Sequence, residues 1–158
     1  MPEVVILIGF QGAGKSTFRA QRFDGTHALV SKDRLRNNRR PERRQRRLIE
    51  EALAAGQSVV VDNTNPSVEE RASIIEAARA AGARVIGYFF ASALDECAAR
   101  NRERPEDARV PDVGMFATAK RFVRPSRREG FDDILTVQTL PDFRFDIGPY
   151  QETPDEPR

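Results

Sequence analysis

Cysteine and histidine are nearly absent from this 158-residue chain, which has one of each. A single cysteine excludes a disulfide framework. We expect Cys97, three residues after Leu94 in a helical pattern, to be a small core residue rather than a reactive thiol. His27 has no second histidine with which to share a metal ion. We therefore expect it to be a surface or packing residue.

Long hydrophobic runs are also missing, since none approaches the roughly 18 residues that a membrane-spanning helix needs. The first residues lack the charged region and the small-residue cleavage pattern of a secretory signal. We therefore expect a cytoplasmic protein with no membrane partner. The sequence leaves the oligomeric state open between monomer and dimer.

Charge is unevenly distributed along the chain, although the net charge is only +2. Residues 32–47 contain nine basic and two acidic side chains, and residues 100–128 contain nine and four. Residues 129–158 reverse the balance, with two basic and eight acidic side chains. Arginine outnumbers lysine by 23 to 3, which a GC-rich coding bias would also produce. The arginine count alone therefore does not indicate a polyanionic partner.

Short apolar, β-branched runs alternate with helical patterns along the chain. The predicted strands are residues 3–8, 27–30, 58–61, 84–90 and 134–138. The predicted helices are residues 15–22, 41–55, 67–81, 94–104 and 112–123. This alternation predicts an α/β fold with a central parallel five-stranded sheet flanked by helices. We expect a single domain over residues 1–150, and a disordered acidic tail over residues 151–158.

A glycine-rich segment, GFQGAGKS, follows the first predicted strand and opens a helix. It matches G-x-x-x-x-G-K-[ST], in which backbone N–H groups and a helix N-terminus cradle phosphates. In this pattern Lys15 reaches the β- and γ-phosphates, and Ser16 is a Mg²⁺ ligand. The predicted nucleotide-binding residues of the loop are Gly9, Phe10, Gln11, Gly12, Ala13, Gly14, Lys15, Ser16 and Thr17.

Asp62 ends the third predicted strand, at the sheet edge where folds of this class bind ligands. It is a candidate to hold a Mg²⁺-bound water or to orient a loop. An equally open alternative is that its carboxylate caps the polar turn that follows.

Asp33 follows the second predicted strand and is therefore expected at the same sheet edge. A carboxylate there would accept a hydrogen bond from an acceptor hydroxyl and aim its oxygen at the γ-phosphorus. Arg36, three residues later, would grip a phosphate beside that hydroxyl. The alternative is an ordinary surface ion pair between the two side chains.

Arg100 and Arg104 lie four residues apart at the end of a predicted helix, before a polar segment with two prolines. Their guanidinium groups suit phosphate oxygens, and the segment that follows them is a candidate lid over ATP. A solvated helix face is the alternative.

The arginines of residues 39–47 wrap around a predicted helix, so we expect only two or three of them to contact phosphates of an acceptor strand. Phe116 and Phe122, near the second basic block, have aromatic rings that can stack on bases. Their spacing instead favours positions in the core.

The chain resembles the 5′-hydroxyl polynucleotide kinases from Val4 to about Tyr150. The stretches that carry the resemblance are GFQGAGKST, SKD, VVVDNTNPS, ARAAGARV, ARNRERP and VPDVGMFATAKRFVRPSRREGFDDIL. The resemblance implies the P-loop kinase fold with a small lid. It also implies ATP- and Mg²⁺-dependent transfer of the γ-phosphate to the 5′-hydroxyl of a DNA or RNA end.

Carried over by position, the resemblance makes Asp33 the general base and Arg36 the contact to the 3′-phosphate of the acceptor. Arg100 and Arg104 would be lid arginines, and Asn63 would support its loop rather than react. No counterpart of the phosphatase domain that some relatives carry is visible, so we expect no removal of 3′-phosphates. Two alternatives stay open: a P-loop kinase of a small molecule, and a nucleotide-dependent nucleic-acid binder without transferase activity.

Overall fold

The computed structural model describes residues 1–35 and 38–152, and its centre is a mostly parallel sheet. In chain order the strands are β1 (Glu3–Ile8), β2 (His27–Val30), β3 (Ser58–Asp62), β4 (Arg84–Phe90), β5 (Asp133–Leu140) and β6 (Arg144–Pro149). Their order across the sheet is β2-β3-β1-β4-β5-β6. Strands β1 to β5 are parallel to their neighbours, and β6 is antiparallel to β5.

The register of the central strands brings their carboxyl ends to one edge of the sheet. Ile6 of β1 lies beside Val61 of β3, and Val61 in turn lies beside Val30 of β2. The loops that follow these three strands therefore start side by side. A ligand site at this edge can draw residues from all three loops.

Five α-helices cover the two faces of the sheet in the described part of the chain. They are α1 (Lys15–Phe23), α2 (Pro41–Ala54), α3 (Val68–Ala80), α4 (Leu94–Arg102) and α5 (Asp112–Arg121). Helices α2 and α3 contribute Ile49 and Ile74 to the core on one face. Helices α1 and α4 contribute Phe18 and Cys97 to the core on the other. Cys97 is buried, which confirms its predicted place in the core.

The sequence predicts five strands, whereas the sheet has six. The additional strand β6 reads RFDIGP, with the side chains of Phe145 and Ile147 packed against the core and those of Arg144 and Asp146 exposed. Such alternation is typical of an antiparallel strand with one solvated face, which lacks the apolar run that marks the parallel strands. The α/β class and the parallel core of the sheet are confirmed.

Two predicted helices differ in detail from those of the structure. Helix α4 ends at Arg102 rather than at Arg104, because the residues before Pro105 leave the helical conformation. Helix α2 ends at Ala54 rather than at Ala55. It buries Gln45, Ile49 and Leu53, and Leu48 and Ala52 are half-buried against the same core.

The predicted acidic tail is only partly described. Glu152 accepts a hydrogen bond from the backbone N–H of Arg127 at 2.8 Å, and the carbonyl of Gln151 accepts one from Arg124 at 3.2 Å. Residues 151 and 152 therefore contact the rest of the fold. Residues 153–158 lie outside the described residues, and the expectation of disorder there stays a prediction. Over the described ranges, no helix has both the length and the hydropathy required to cross a bilayer.

Candidate active site

The phosphate loop lies between β1 and α1, where two glycines adopt positive φ angles. Gly12 has φ +83° and Gly14 has φ +94°, a region that disfavours any side chain. A Cβ on Gly12 would also lie 2.2 Å from the carbonyl oxygen of Cys97 in α4. Gly14 is the N-cap of α1 and offers no capping side chain. The first N–H groups of α1 therefore remain available to an anion.

Lys15 is buried beneath this loop. Its Nζ donates hydrogen bonds to the carbonyl oxygens of Gly9 at 2.8 Å and Phe10 at 2.7 Å. Burial lowers the pKa of Lys15 from 10.5 to about 8, and the negative charge of Asp62 opposes that shift. Asp33 and Arg104 act on the same pKa, the first raising it and the second lowering it.

Ser16 and Asp62 meet directly at the start of α1. The Ser16 hydroxyl donates to Oδ2 of Asp62 at 2.9 Å, and Nε of Arg19 lies 3.6 Å from the same oxygen. The carboxylate therefore faces the phosphate loop from the end of β3. Its predicted role, to hold a Mg²⁺-bound water or to orient a loop, stays a prediction.

This pair of oxygens fits the chemistry of Mg²⁺. A hydroxyl and a carboxylate are hard oxygen donors, and Mg²⁺ commonly takes one or two protein ligands together with waters and substrate phosphates. Among residues 1–35 and 38–152, no cluster of three or more His, Cys, Asp or Glu side chains forms a dedicated metal cage. An ion held by Ser16 and Asp62 would therefore depend on nucleotide phosphates for the rest of its coordination.

Asp33 lies in a short 3-10 turn, Lys32–Leu35, that follows β2. Its carboxylate is exposed, as a group that receives a substrate hydroxyl must be. The turn is tied to β3 because the backbone N–H of Lys32 donates to Oδ1 of Asn63 at 2.7 Å. The supporting role expected for Asn63 thus has a definite partner. Arg36, the predicted companion of Asp33, lies outside the described residues.

Helix α2 follows this turn and has a basic face, which we define as Arg40, Arg43, Arg44 and Arg47. The face borders a groove of about 740 Å³. Arg47 pairs with Glu51 at 3.4 Å. No ion pair within the described ranges involves Arg43 or Arg44. Arg40 likewise appears in none of these pairs, so three arginines of this face are unpaired there, although Glu50 and Glu51 line the same groove.

The two arginines predicted to belong to a lid, Arg100 and Arg104, follow β4 on the other side of the phosphate loop. Arg100 is half-buried on α4, where its Nη1 donates to the Gly12 carbonyl at 3.3 Å. Arg104 lies beyond the end of α4, and its own carbonyl accepts a 2.8 Å hydrogen bond from Arg109. The two arginines therefore do not share a helical face, in contrast to the prediction. Arg100 is the one of the two that hydrogen-bonds the phosphate loop in the described residues.

Buried polar residues that the sequence analysis missed hold this edge together. Asn101 ties the two ends of the candidate lid, donating to the Val110 carbonyl at 2.7 Å and accepting from its N–H at 2.9 Å. Thr139 of β5 donates to the carbonyl of Ala13 in the phosphate loop at 2.7 Å. Gln45 is the third of these buried polar residues, and the sequence pattern does indicate it. It lies four residues before Ile49 and eight before Leu53, on the buried stripe of α2.

The two phenylalanines near the second basic block have different environments. Phe122 packs on Phe10 of the phosphate loop, with ring centroids 4.8 Å apart, as expected of a residue at the core. Phe116 is 61% exposed, so its expected place in the core is wrong. The spacing of six residues between them places the rings on different sides of α5 and its extension.

Comparison with known proteins assigns this loop and sheet edge to a family. The family model described as an AAA domain, AAA_33, matches residues 4–125. The chain belongs to this family. The AAA_33 match includes the phosphate loop, Asp33, Asp62 and both lid arginines. With the sheet order described above, it makes the chain a P-loop kinase by family and fold.

The curated relatives that the chain matches are named as polynucleotide phosphatase/kinases. The bifunctional polynucleotide phosphatase/kinase of Schizosaccharomyces pombe is 29% identical over 140 residues, which are 85% of this chain and 33% of that protein. The sequence resemblance to polynucleotide kinases is thereby confirmed. The chain spans about a third of the length of the curated relatives it matches.

Solved structures share the fold at low sequence identity. A fungal RNA kinase superposes with a TM-score of 0.63 and 17% identity, covering 87% of this chain and 38% of that one. A sugar kinase from Janibacter sp. HTCC2649 superposes with a TM-score of 0.67 and 13% identity, covering 87% and 86%. These likenesses show the fold, and they do not identify the molecule that accepts the phosphate.

Proposed function

We propose that the chain transfers the γ-phosphate of ATP to the 5′-hydroxyl of a DNA or RNA end. The observation that carries the proposal is the position of Asp33, which is exposed in the turn after β2, at the sheet edge where Ser16 of the phosphate loop donates to Asp62 at the end of β3. A carboxylate at this edge is placed to receive an incoming hydroxyl opposite a bound triphosphate.

In this mechanism the loop N–H groups and Lys15 hold the β- and γ-phosphates. The Asp33 carboxylate accepts a hydrogen bond from the acceptor hydroxyl and takes its proton late in the transfer. Arg100 and Arg104 neutralise charge that develops on the transferred group and on the leaving phosphate. Mg²⁺, held through Ser16 and Asp62, supplies further charge neutralisation when it is bound.

The basic face of α2 supports a polynucleotide acceptor. This helix follows the Asp33 turn directly, and Lys32 of the turn lies 3.9 Å from Glu42 of the helix. Arg43 and Arg44 lie on the outer face of the helix, away from the Lys32–Glu42 contact, so a strand whose 5′ end lies at Asp33 would meet them by running over the N-terminal end of α2. Such contacts carry no base information and would bind many sequences equally. The name of the Schizosaccharomyces pombe relative supports the same acceptor class.

The test is transfer of label from γ-labelled ATP across a panel of 5′-hydroxyl DNA, 5′-hydroxyl RNA, mononucleotides and small alcohols. We expect labelled oligonucleotides. Label on a small alcohol alone would reject a polynucleotide acceptor. Asp33→Asn should abolish turnover and leave ATP affinity nearly unchanged, because it removes the base and keeps the side-chain shape. An Asp33→Asn variant with full transfer would reject the role of Asp33.

A second candidate is a P-loop kinase of a small alcohol, which the fold shared with the sugar kinase favours. The two candidates differ in their dependence on salt. A polyanionic acceptor releases counterions on binding, so its KM should rise steeply with salt concentration. The KM of a small neutral acceptor should stay nearly constant.

A further inference from the structure

A polar side chain interrupts the buried stripe of α2. Gln45, Ile49 and Leu53 lie four residues apart and face the core together. Gln45 is only 3% exposed. A buried amide requires hydrogen-bond partners, so a glutamine at this position needs a physical reason.

The reason lies in a chain of hydrogen bonds to the Asp33 turn. Oε1 of Gln45 accepts from Nδ2 of Asn63 at 2.7 Å. Oδ1 of Asn63 accepts from the backbone N–H of Lys32, also at 2.7 Å. The Lys32 N–H can only donate, so Oδ1 of Asn63 must face the turn and its NH₂ group must face Gln45. By accepting from that NH₂ group, Gln45 holds the Asn63 amide in the orientation and position that the Lys32 N–H requires.

The turn that carries Asp33 is a single 3-10 turn of four residues. Among the described residues its other supports are hydrogen bonds to Ser31 from the N–H groups of Asp33 at 3.3 Å and Arg34 at 3.2 Å, and a 3.9 Å ion pair between Lys32 and the exposed Glu42. Asn63 directly follows Asp62, whose carboxylate bonds Ser16 at the phosphate loop. The contact between Asn63 and Lys32 thus joins the acceptor side of the site to the nucleotide side.

We propose that Gln45 is a positioning residue that, through Asn63, holds Asp33 at the correct distance from the phosphate loop. This inference rests on the proposed role of Asp33 in phosphate transfer. Loss of the Gln45 acceptor would free the Asn63 amide to rotate and the Lys32 turn to shift. A displacement of about 1 Å can reduce turnover by about a hundredfold even when it originates far from the chemistry.

The kinetic test compares three variants. Gln45→Met keeps the length of the side chain and removes its acceptor, and we expect kcat to fall about 10- to 100-fold with the KM for ATP within about twofold of wild type. Gln45→Glu retains an acceptor oxygen and should recover most of the lost kcat. Ile49→Val, one helical turn away, should lower stability and leave kcat unchanged. If the glutamine were purely structural, Gln45→Met would behave like Ile49→Val: it would lower stability and leave kcat unchanged.

A double substitution tests whether Gln45 acts through its partner. If it does, Gln45→Met in an Asn63→Ala background should reduce kcat no further than Asn63→Ala alone. Independent, multiplying losses would overturn the proposed relay.

A readout without catalysis separates this inference from the proposed function. Hydrogen exchange of the Lys32 amide, followed by NMR, should be at least about tenfold faster in Gln45→Met than in wild type, and unchanged in Ile49→Val. If wild type phosphorylates no 5′-hydroxyl, the proposed function fails, and the kcat comparison is repeated with the acceptor that the panel identifies. Unchanged Lys32 exchange, or wild-type kcat in Gln45→Met, overturns the positioning role.

Discussion

Nucleotide affinity should depend on pH through Lys15, and the buried environment of this side chain sets the range. Burial lowers the Lys15 pKa to about 8, against 10.5 for an exposed lysine. Phosphates bind the ammonium and not the neutral amine, so ATP binding requires the protonated form. A bound triphosphate stabilises that form and raises its pKa. Affinity is therefore almost fully present at pH 7 and below, and is lost as the pH rises through the pKa of the free enzyme, about 8.

The size of the effect follows from the fraction of Lys15 that carries a proton. With a pKa of about 8 this fraction is about 0.9 at pH 7, about 0.1 at pH 9 and about 0.01 at pH 10. We expect the Kd for ATP to rise about tenfold between pH 7 and 9, and about tenfold more by pH 10. An ordinary lysine would leave the Kd nearly constant up to pH 9.

The assay is isothermal titration of ATP between pH 7 and 10 with EDTA present, so that metal binding does not contribute. Lys15→Arg is the matched control, because a guanidinium stays charged across this range. It should bind ATP less tightly than wild type but with a flat pH profile. A flat profile in wild type, or the same decline in Lys15→Arg, would refute the assignment of the titration to Lys15.

Arg71 is fully buried and makes two hydrogen bonds to Glu129, at 2.8 and 3.0 Å, so Arg71→Met should lower the free energy of unfolding by about 3–5 kcal/mol. Arg79→Met on the same helix, which breaks an exposed pair, should cost under about 1 kcal/mol, and similar urea midpoints for the two variants would contradict the difference. Arg43→Gln with Arg44→Gln should reduce the slope of log affinity against log salt by about 1.4 for a single-stranded acceptor, at about 0.7 per phosphate contact. Arg79→Gln should leave that slope unchanged, and an unaltered slope in the Arg43 and Arg44 variant would remove the basic face of α2 from the acceptor site.

The parts of the fold that sequence predicts well are those set by local patterns. Strands β1, β3 and β4 are continuous apolar runs, and the turn after β1 needs glycine at two positive φ angles. The positions of Lys15 and Ser16 in the phosphate loop can therefore be predicted from eight consecutive residues alone. Strand β6 cannot be predicted in this way, because its apolar residues Phe145 and Ile147 alternate with charged residues. Its conformation depends on pairing with β5 and on packing against the core.

The missed parts of the site depend on contacts between distant segments. Thr139 reaches the phosphate loop across 126 residues of sequence, and Gln11 reaches Thr118 across 107. Both contacts exist only because the strand order places their segments at one edge of the sheet. The end of α4 is different, since a local proline effect shortens the helix and moves Arg104 off the face that it was predicted to share with Arg100.

The strand order also gives a reason why the acceptor should be long rather than small. Across the edge, the Asp33 turn follows β2, Asp62 ends β3, the phosphate loop follows β1, and the helix with Arg100 follows β4. The proposed base and the lid arginine therefore lie on opposite sides of the loop, as in-line transfer requires of an attacking and a leaving oxygen. Helix α2, with its basic face, packs beside β2, β3 and the Asp33 turn, on the side of the phosphate loop away from α4. Arg40, Arg43 and Arg44 of this face make no ion pair in the part of the chain that the structure describes. A strand that continues past a 5′ end at Asp33 along the outer face of α2 would place its phosphates against these arginines, which is why we propose a polynucleotide rather than a small acceptor.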